Sequence, residues 1–125
     1  MKNRHEVRGE ETAIFLNYKG QMLETIIDTE DLEKVMQMPN EWYAVYDKNI
    51  KGYYVYGWWK TTIYIHRLIM NTPKNLVVDH INHNTLYNRK HKMRNVTKTE
   101  NSQNMLKENI YESMIIKRAR YKKPA

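Results

Sequence analysis

Between Val77 and Asn101 the chain concentrates residue types that handle phosphate and metal ions. Val77-Val78 runs into Asp79-His80, then Ile81-Asn82-His83-Asn84, Asn88-Arg89, Arg94, Thr97 and Asn101. An apolar pair delivers a carboxylate and an imidazole into a polar, Asn-rich turn, and a side-chain amide returns further on. Carboxylate and amide oxygens suit one hard divalent cation, Mg²⁺ or Mn²⁺, whose other positions go to water and phosphate. A neutral imidazole has an ordinary pKa near neutrality, so it can take a proton from an attacking water. A cation beside it stabilises charge on the phosphoryl and leaving oxygens. Together these groups can serve one metal ion and one phosphate. The Asp-His dipeptide alone is common and as readily makes a hydrogen-bonded turn, so the weight falls on its context.

That context is a set of elements able to hold the groups in place. Leu76-Val77-Val78 reads as a brief buried strand, a rigid support for the Asp-His pair at its end. Thr97-Lys98-Thr99-Glu100 is a capping box, so a helix is expected to begin at Thr97. Asn101 then lies early in that helix, with Asn104 one turn on along the same face. Strand, polar hairpin and helix make a ββα unit, in which the strand end faces the helix's first turn. Asp79 and Asn101 are the expected metal ligands and His80 the expected general base. His83 and His91 read as loop residues, and His66 as a structural residue or a neighbour of the site.

Ahead of this lies a strand-rich region. Ala13–Tyr18 and Met22–Ile27 read as two strands joined at Lys19-Gly20-Gln21. Asp28-Thr29 opens a short helix, with Glu30, Asp31 and Glu33 at its positive end and Leu32, Val35 and Met36 on one apolar face. Trp42–Tyr46 and Tyr53–Tyr56 flank a polar loop as a hairpin, Trp58-Trp59 sits at the next bend, and Thr61–Ile65 is a third strand. Alternation sets Trp42, Ala44 and Tyr46 on one face and Tyr43 and Val45 on the other. The aromatics are expected mainly to fill a small core; the competing reading is that exposed Tyr side chains stack on nucleic acid. His66–Met70 is a short helix closed by Asn71-Thr72-Pro73. No Gly follows Gly57, so later turns must use Asn, Asp or His. Residues 110–125 read as a helix or a basic arm.

Composition limits the alternatives. The 125 residues carry a net charge of +7 and no cysteine, which excludes disulfides and Cys-based zinc sites. Residues 1–60 carry 8 Lys/Arg against 10 Asp/Glu, whereas residues 61–125 carry 13 against 4. A polyanion such as DNA is the natural partner of the second part, through Arg67, Arg89, Lys90, Arg94, Lys98, Lys117, Arg118 and Arg120. No apolar run has the length of a membrane span and the first residues lack the hydrophobic stretch of a signal peptide, so the expected location is cytoplasmic.

Residues 64–105 resemble the HNH nuclease family, in particular its small phage- and intron-encoded homing-type endonucleases. The matching residues are Ile65-His66-Arg67-Leu68-Ile69, Pro73-Lys74, Val77 through Asn82, Asn84, Leu86, Asn88-Arg89, Arg94, Thr97, Asn101 and Asn104. The resemblance implies an α+β fold: a ββα-metal finger preceded by a small aromatic-rich antiparallel β region with one short helix. It implies a scaffold or DNA-binding region at 1–64, a nuclease domain at 65–105 and a basic tail at 106–125. It also implies cleavage of a DNA phosphodiester to 5′-phosphate and 3′-hydroxyl, with Asp79 and Asn101 on the metal, His80 as base, and His66, Asn84, Asn88, Asn104 and position 92 in support, in a monomer or homodimer. Three positions depart from the family pattern. His83 stands where a Gly is usual, Tyr87 where Asp is usual, and Lys92 where the central Asn braces the base-bearing loop. Lys has no acceptor and cannot reproduce that bonding. The alternative reading is therefore an HNH-fold protein of weak or absent activity that regulates or inhibits by binding DNA or a protein.

Overall fold

A computed structural model describes residues 1–102. The expectations for Asn104, Lys117, Arg118, Arg120 and the tail lie outside the described residues. The fold is a small α+β arrangement, mostly strands with short helices.

Three sheets form among the described residues. The first takes β1 (His5–Arg8), β2 (Glu11–Tyr18) and β3 (Gln21–Asp28) as an antiparallel meander. The turn between β2 and β3 is tighter than expected: Lys19 and Gly20 both take positive φ, so Gln21 already pairs with Tyr18. A 3₁₀ turn (Thr29–Asp31) and α1 (Leu32–Met36) follow. Val35 and Leu32 turn to the core, but Met36 is exposed, because so short a helix buries a narrow stripe. The second sheet is β4 (Tyr43–Asp47), β5 (Gly52–Trp59) and β6 (Thr61–Tyr64). Trp58 and Trp59 end β5 rather than forming the bend, which falls at Lys60 with φ 62°. Gly57 is required where it stands: a Cβ there would lie 2.1 Å from the Asn40 amide.

Helix α2 (Ile65–Met70) ends as the sequence requires of a chain without further glycine. Asn71 takes the left-handed conformation, and Thr72 N–H returns to the Arg67 carbonyl at 3.1 Å. Asn95 ties that end to the last sheet by donating to the Met70 carbonyl and accepting from the Thr72 hydroxyl. The third sheet pairs β7 (Val77–His80) with β9 (Met93–Val96), antiparallel, with Asp79 opposite Arg94 and His80 opposite Met93. Between them lie β8 (Tyr87–Asn88) and a 3₁₀ turn (Lys90–Lys92). Thr97 accepts from Glu100 N–H at 3.2 Å, and residues 98–102 are helical.

Three expectations change. The boundary after residue 64 does not separate two cores. Strand β8 pairs in parallel with β3 (Ile26 to Tyr87, Ile27 to Asn88), and one core joins Ile14, Leu16, Ile27, Trp42 and Val55 to Ile65, Ile69 and Met93. Val77 and Val78 are only partly buried, whereas Asp79 and His80 after them are buried. The aromatics do not mainly fill the core either. Trp42 does, at 1% exposure, but Tyr43, Tyr46, Trp58, Trp59 and Tyr64 are exposed. Tyr46 stays on the face it shares with Ala44 but lies at the sheet's end, where it is exposed and packs edge-on against Tyr53.

Candidate active site

The Asn-rich turn after β7 is built from its own side chains. His83 N–H bonds the His80 carbonyl at 2.9 Å, Asn82 Oδ1 accepts from Asn84 N–H, and Asn84 Oδ1 accepts from Leu86 N–H. Asn and Asp do this readily because the side-chain carbonyl mimics a backbone acceptor. Asn84, expected to support the site, forms part of this turn. His83 takes φ 61°, the region that favours Gly, so the first departure from the family pattern falls at a left-handed position held by a larger residue. The turn returns the chain so that Asn88 faces His80.

His80 is 6% exposed, and its Nε2 lies 2.8 Å from Asn88 Oδ1. The roles of the two atoms follow from what holds Asn88. The Thr25 hydroxyl donates its one proton to the Leu86 carbonyl at 2.8 Å. Thr25 Oγ1 therefore accepts from Asn88 Nδ2, also at 2.8 Å, and Nδ2 donates again to the Thr85 carbonyl at 3.2 Å. The Asn88 amide is thereby oriented with Oδ1 toward the imidazole. That oxygen has no proton to give, so His80 Nε2 carries the hydrogen and Nδ1 keeps the lone pair. Burial holds His80 below the ordinary imidazole pKa, against the upward pull of the Asn88 bond and of Asp79. The ring is neutral near pH 7, in a defined tautomer. Thr25 lies 63 residues from Asn88 in sequence, on β3.

Asp79 leaves β7 on the face opposite to His80, as strand alternation requires. It is 3% exposed, and Arg94 Nε donates to Oδ2 at 2.8 Å. The Arg94 side chain is 52% exposed. Asn101, at the start of the helical segment, borders a cleft of about 220 Å³ with Tyr54, Tyr64, His66, Val77 and Val78. A phosphate engaging both Asp79 and His80 would have to bridge the end of β7. One carboxylate and one amide oxygen are the donors a hard cation takes; Arg94 already holds one Asp79 oxygen, with a charge that such an ion must compete against.

His66 is buried on α2, its ring 5.5 Å from His80 edge-on and stacked on Tyr64 at 5.5 Å. Its Nδ1 is buried and has no hydrogen-bond partner among the described residues. Burial lowers its pKa to about 3, aided by His80 and Arg67. His66 is therefore a neutral packing partner of the His80 ring.

The structure reassigns several basic residues. Arg67 donates to the Leu76 and Pro73 carbonyls, both at 2.9 Å, and clamps the entry to β7. Arg89 bonds Asp28 at 2.7 Å and Glu11 at 3.0 Å. Lys90 Nζ lies 2.9 Å from Asp31 and 3.1 Å from Glu30. Arg67 thus ties local backbone, and Arg89 and Lys90 pair with carboxylates of the N-terminal half. Arg94 pairs with Asp79, and Lys98 is exposed. Ligand atoms of Asp28, Glu30 and Asp31 lie within 4.8 Å of one another, and Arg89 and Lys90 pair with these carboxylates. Tyr87 donates to Glu11 at 3.2 Å and docks the first sheet. Lys92 acts through its backbone: its carbonyl accepts from Ile81 N–H at 2.9 Å and holds the chain just after His80. His91 packs edge-on against Tyr87.

No helix among the described residues is long and apolar enough to cross a membrane. Compared with protein-family models, curated proteins and solved structures, the chain matches none.

Proposed function

We propose that this chain is a divalent-metal-dependent DNA endonuclease of the HNH type, with His80 as its general base. The observation that carries this reading is the Thr25–Asn88–His80 relay, which presents a neutral imidazole with Nδ1 unprotonated. In the proposed reaction His80 Nδ1 takes a proton from water as the water oxygen attacks phosphorus. The bond to the 3′ oxygen breaks, that oxygen takes a proton from solvent, and 5′-phosphate and 3′-hydroxyl ends result. Asp79 and Asn101 are the residues that would hold Mg²⁺ or Mn²⁺. Such an ion, when bound, supplies positive charge to the phosphoryl and leaving oxygens. Arg94 Nε donates to Asp79 Oδ2 at 2.8 Å, and its guanidinium carries further donors suited to a phosphate.

The Arg94–Asp79 pair also favours a second reading, DNA binding without cleavage, since a carboxylate already neutralised needs no metal. Nicking of supercoiled plasmid with Mg²⁺ or Mn²⁺ separates the two. The wild type should nick, and His80→Ala should lose roughly 10²–10⁴-fold in rate, the usual worth of a general base. Wild-type nicking no faster than His80→Ala, with both proteins folded, would leave the binding reading.

A further inference from the structure

The outer face of the second sheet is made of rings. Tyr43 and Val45 on β4, Tyr54, Tyr56 and Trp58 on β5, and Tyr64 on β6 share it by register: Tyr43 pairs with Tyr56, Tyr56 with Tyr64, and Val45 with Tyr54. Trp58 is 66% exposed, and Tyr43, Val45 and Tyr64 are also exposed. The rings meet in two groups on the sheet. Tyr43 lies 5.9 Å from Tyr56, Tyr54 lies 6.0 Å from Tyr64, and Tyr64 stacks on His66, which meets His80. A groove here is lined by Val45, Tyr46, Asp47, Lys48, Tyr54 and Tyr64. Tyr54 and Tyr64 also line the cleft that reaches His66 and Asn101. Through Tyr54 and Tyr64 this end of the face borders the candidate active site.

We propose that this face binds unpaired nucleotides of a DNA strand, their bases stacked on the tyrosines and Trp58, next to the phosphate held at His80. Three observations point to that occupant. The exposed apolar surface is aromatic, with a single aliphatic side chain in it, and a base offers a π-face whatever its sequence. Residues 42–60 carry Lys48, Lys51 and Lys60 against Asp47, net +2, with Glu41 accepting from the Tyr43 hydroxyl at its edge, whereas residues 1–41 carry five Lys/Arg and nine Asp/Glu. Asp47 is occupied with Asn49 N–H, and Lys48 and Lys51 stand in the turn beside it. In a duplex the base faces are stacked on one another, so a flat ring surface gains little there and much from a strand that is open. The placement beside a scissile phosphate rests on the nuclease reading; the ring face and its charge do not.

The test is binding of a short fluorescent oligothymidylate and of a matched duplex to the full chain in EDTA, where cleavage plays no part. Single strand should bind more tightly than duplex. Trp58→Ala and Tyr43→Ala should each weaken single-strand binding about tenfold, and Trp58→Phe should restore most of it. Circular dichroism melting would verify that these surface variants stay folded. Unchanged single-strand affinity in the double variant would overturn the proposal. So would tighter duplex binding with the same sensitivity, or substitutions that alter only self-association in sedimentation. Ring-dependent binding without plasmid nicking would sink the nuclease reading and leave the stacking face standing.

Discussion

The first and second sheets spend their side chains in opposite ways. The four-stranded sheet and the 3₁₀ turn after β3 turn polar groups toward the second half of the chain. Asp28, Asp31, Glu30 and Glu11 take up Arg89 and Lys90, and Thr25 orients Asn88. The three-stranded sheet buries Val55 and Ala44 on one face and leaves Tyr43, Trp58 and Tyr64 to solvent on the other. One sheet consumes the basic charge that composition assigns to DNA; the other exposes the rings that composition assigns to the core. Residue type alone thus misplaces both sets, and what decides is which partners the topology brings near.

The sharpest way to break this contrast is to cut the polar sheet's hold on the site. Asn88→Ala should slow plasmid nicking about 10–100-fold, as loss of a group orienting a catalytic residue typically does. Thr25→Val should act in the same direction by freeing the Asn88 amide to flip. If neither alters nicking while His80→Ala abolishes it, the first sheet does not set up the base.

The ion pairs come next. Asp28→Ala leaves Arg89 without its closest carboxylate and should destabilise the fold by about 1–3 kcal/mol in urea titrations. Binding to DNA should not weaken. A large fall in DNA affinity without a stability change would return Arg89 to the binding surface.

Acid stability probes the junction of the sheets at His66. Its folded pKa is depressed to about 3 from 6.5, so between those values the unfolded chain binds a proton that the folded chain does not. Stability is therefore full above pH 6.5 and falls as pH drops, by up to about 1.4 kcal/mol per pH unit from this group. Thermal melts across that range should show the fall, and His66→Phe should flatten it. An equal slope in the variant would assign the acid sensitivity elsewhere. Smallest of all should be Lys92→Asn, since position 92 holds the loop through its carbonyl; stability should stay within about 0.5 kcal/mol. A marked gain in nicking would instead show that a side-chain amide is missing there.

Local features were legible in the sequence. The hairpins, the Thr97 cap and the strand carrying Asp79-His80 follow from patterns within a few residues. The need for left-handed Asn71 and His83 follows from the absence of glycine after Gly57. What stayed hidden is non-local. Nothing near Asn88 announces Thr25, and nothing near Arg89 announces Glu11 and Asp28, because the parallel pairing of β3 with β8 spans about 60 residues and leaves no periodic trace. Alternation named the two faces of the ring sheet correctly, but not that the ring-rich face meets solvent.

The central claim is that the first sheet fixes His80 as a base through Thr25 and Asn88. Its most direct test is the ¹⁵N spectrum of the His80 imidazole near neutral pH, with Thr25→Val alongside for assignment of the relay. The relay predicts a neutral ring protonated at Nε2, with Nδ1 carrying the lone pair, and a shift toward mixed tautomers in Thr25→Val. A wild-type ring protonated at Nδ1, or a tautomer indifferent to Thr25, would contradict it.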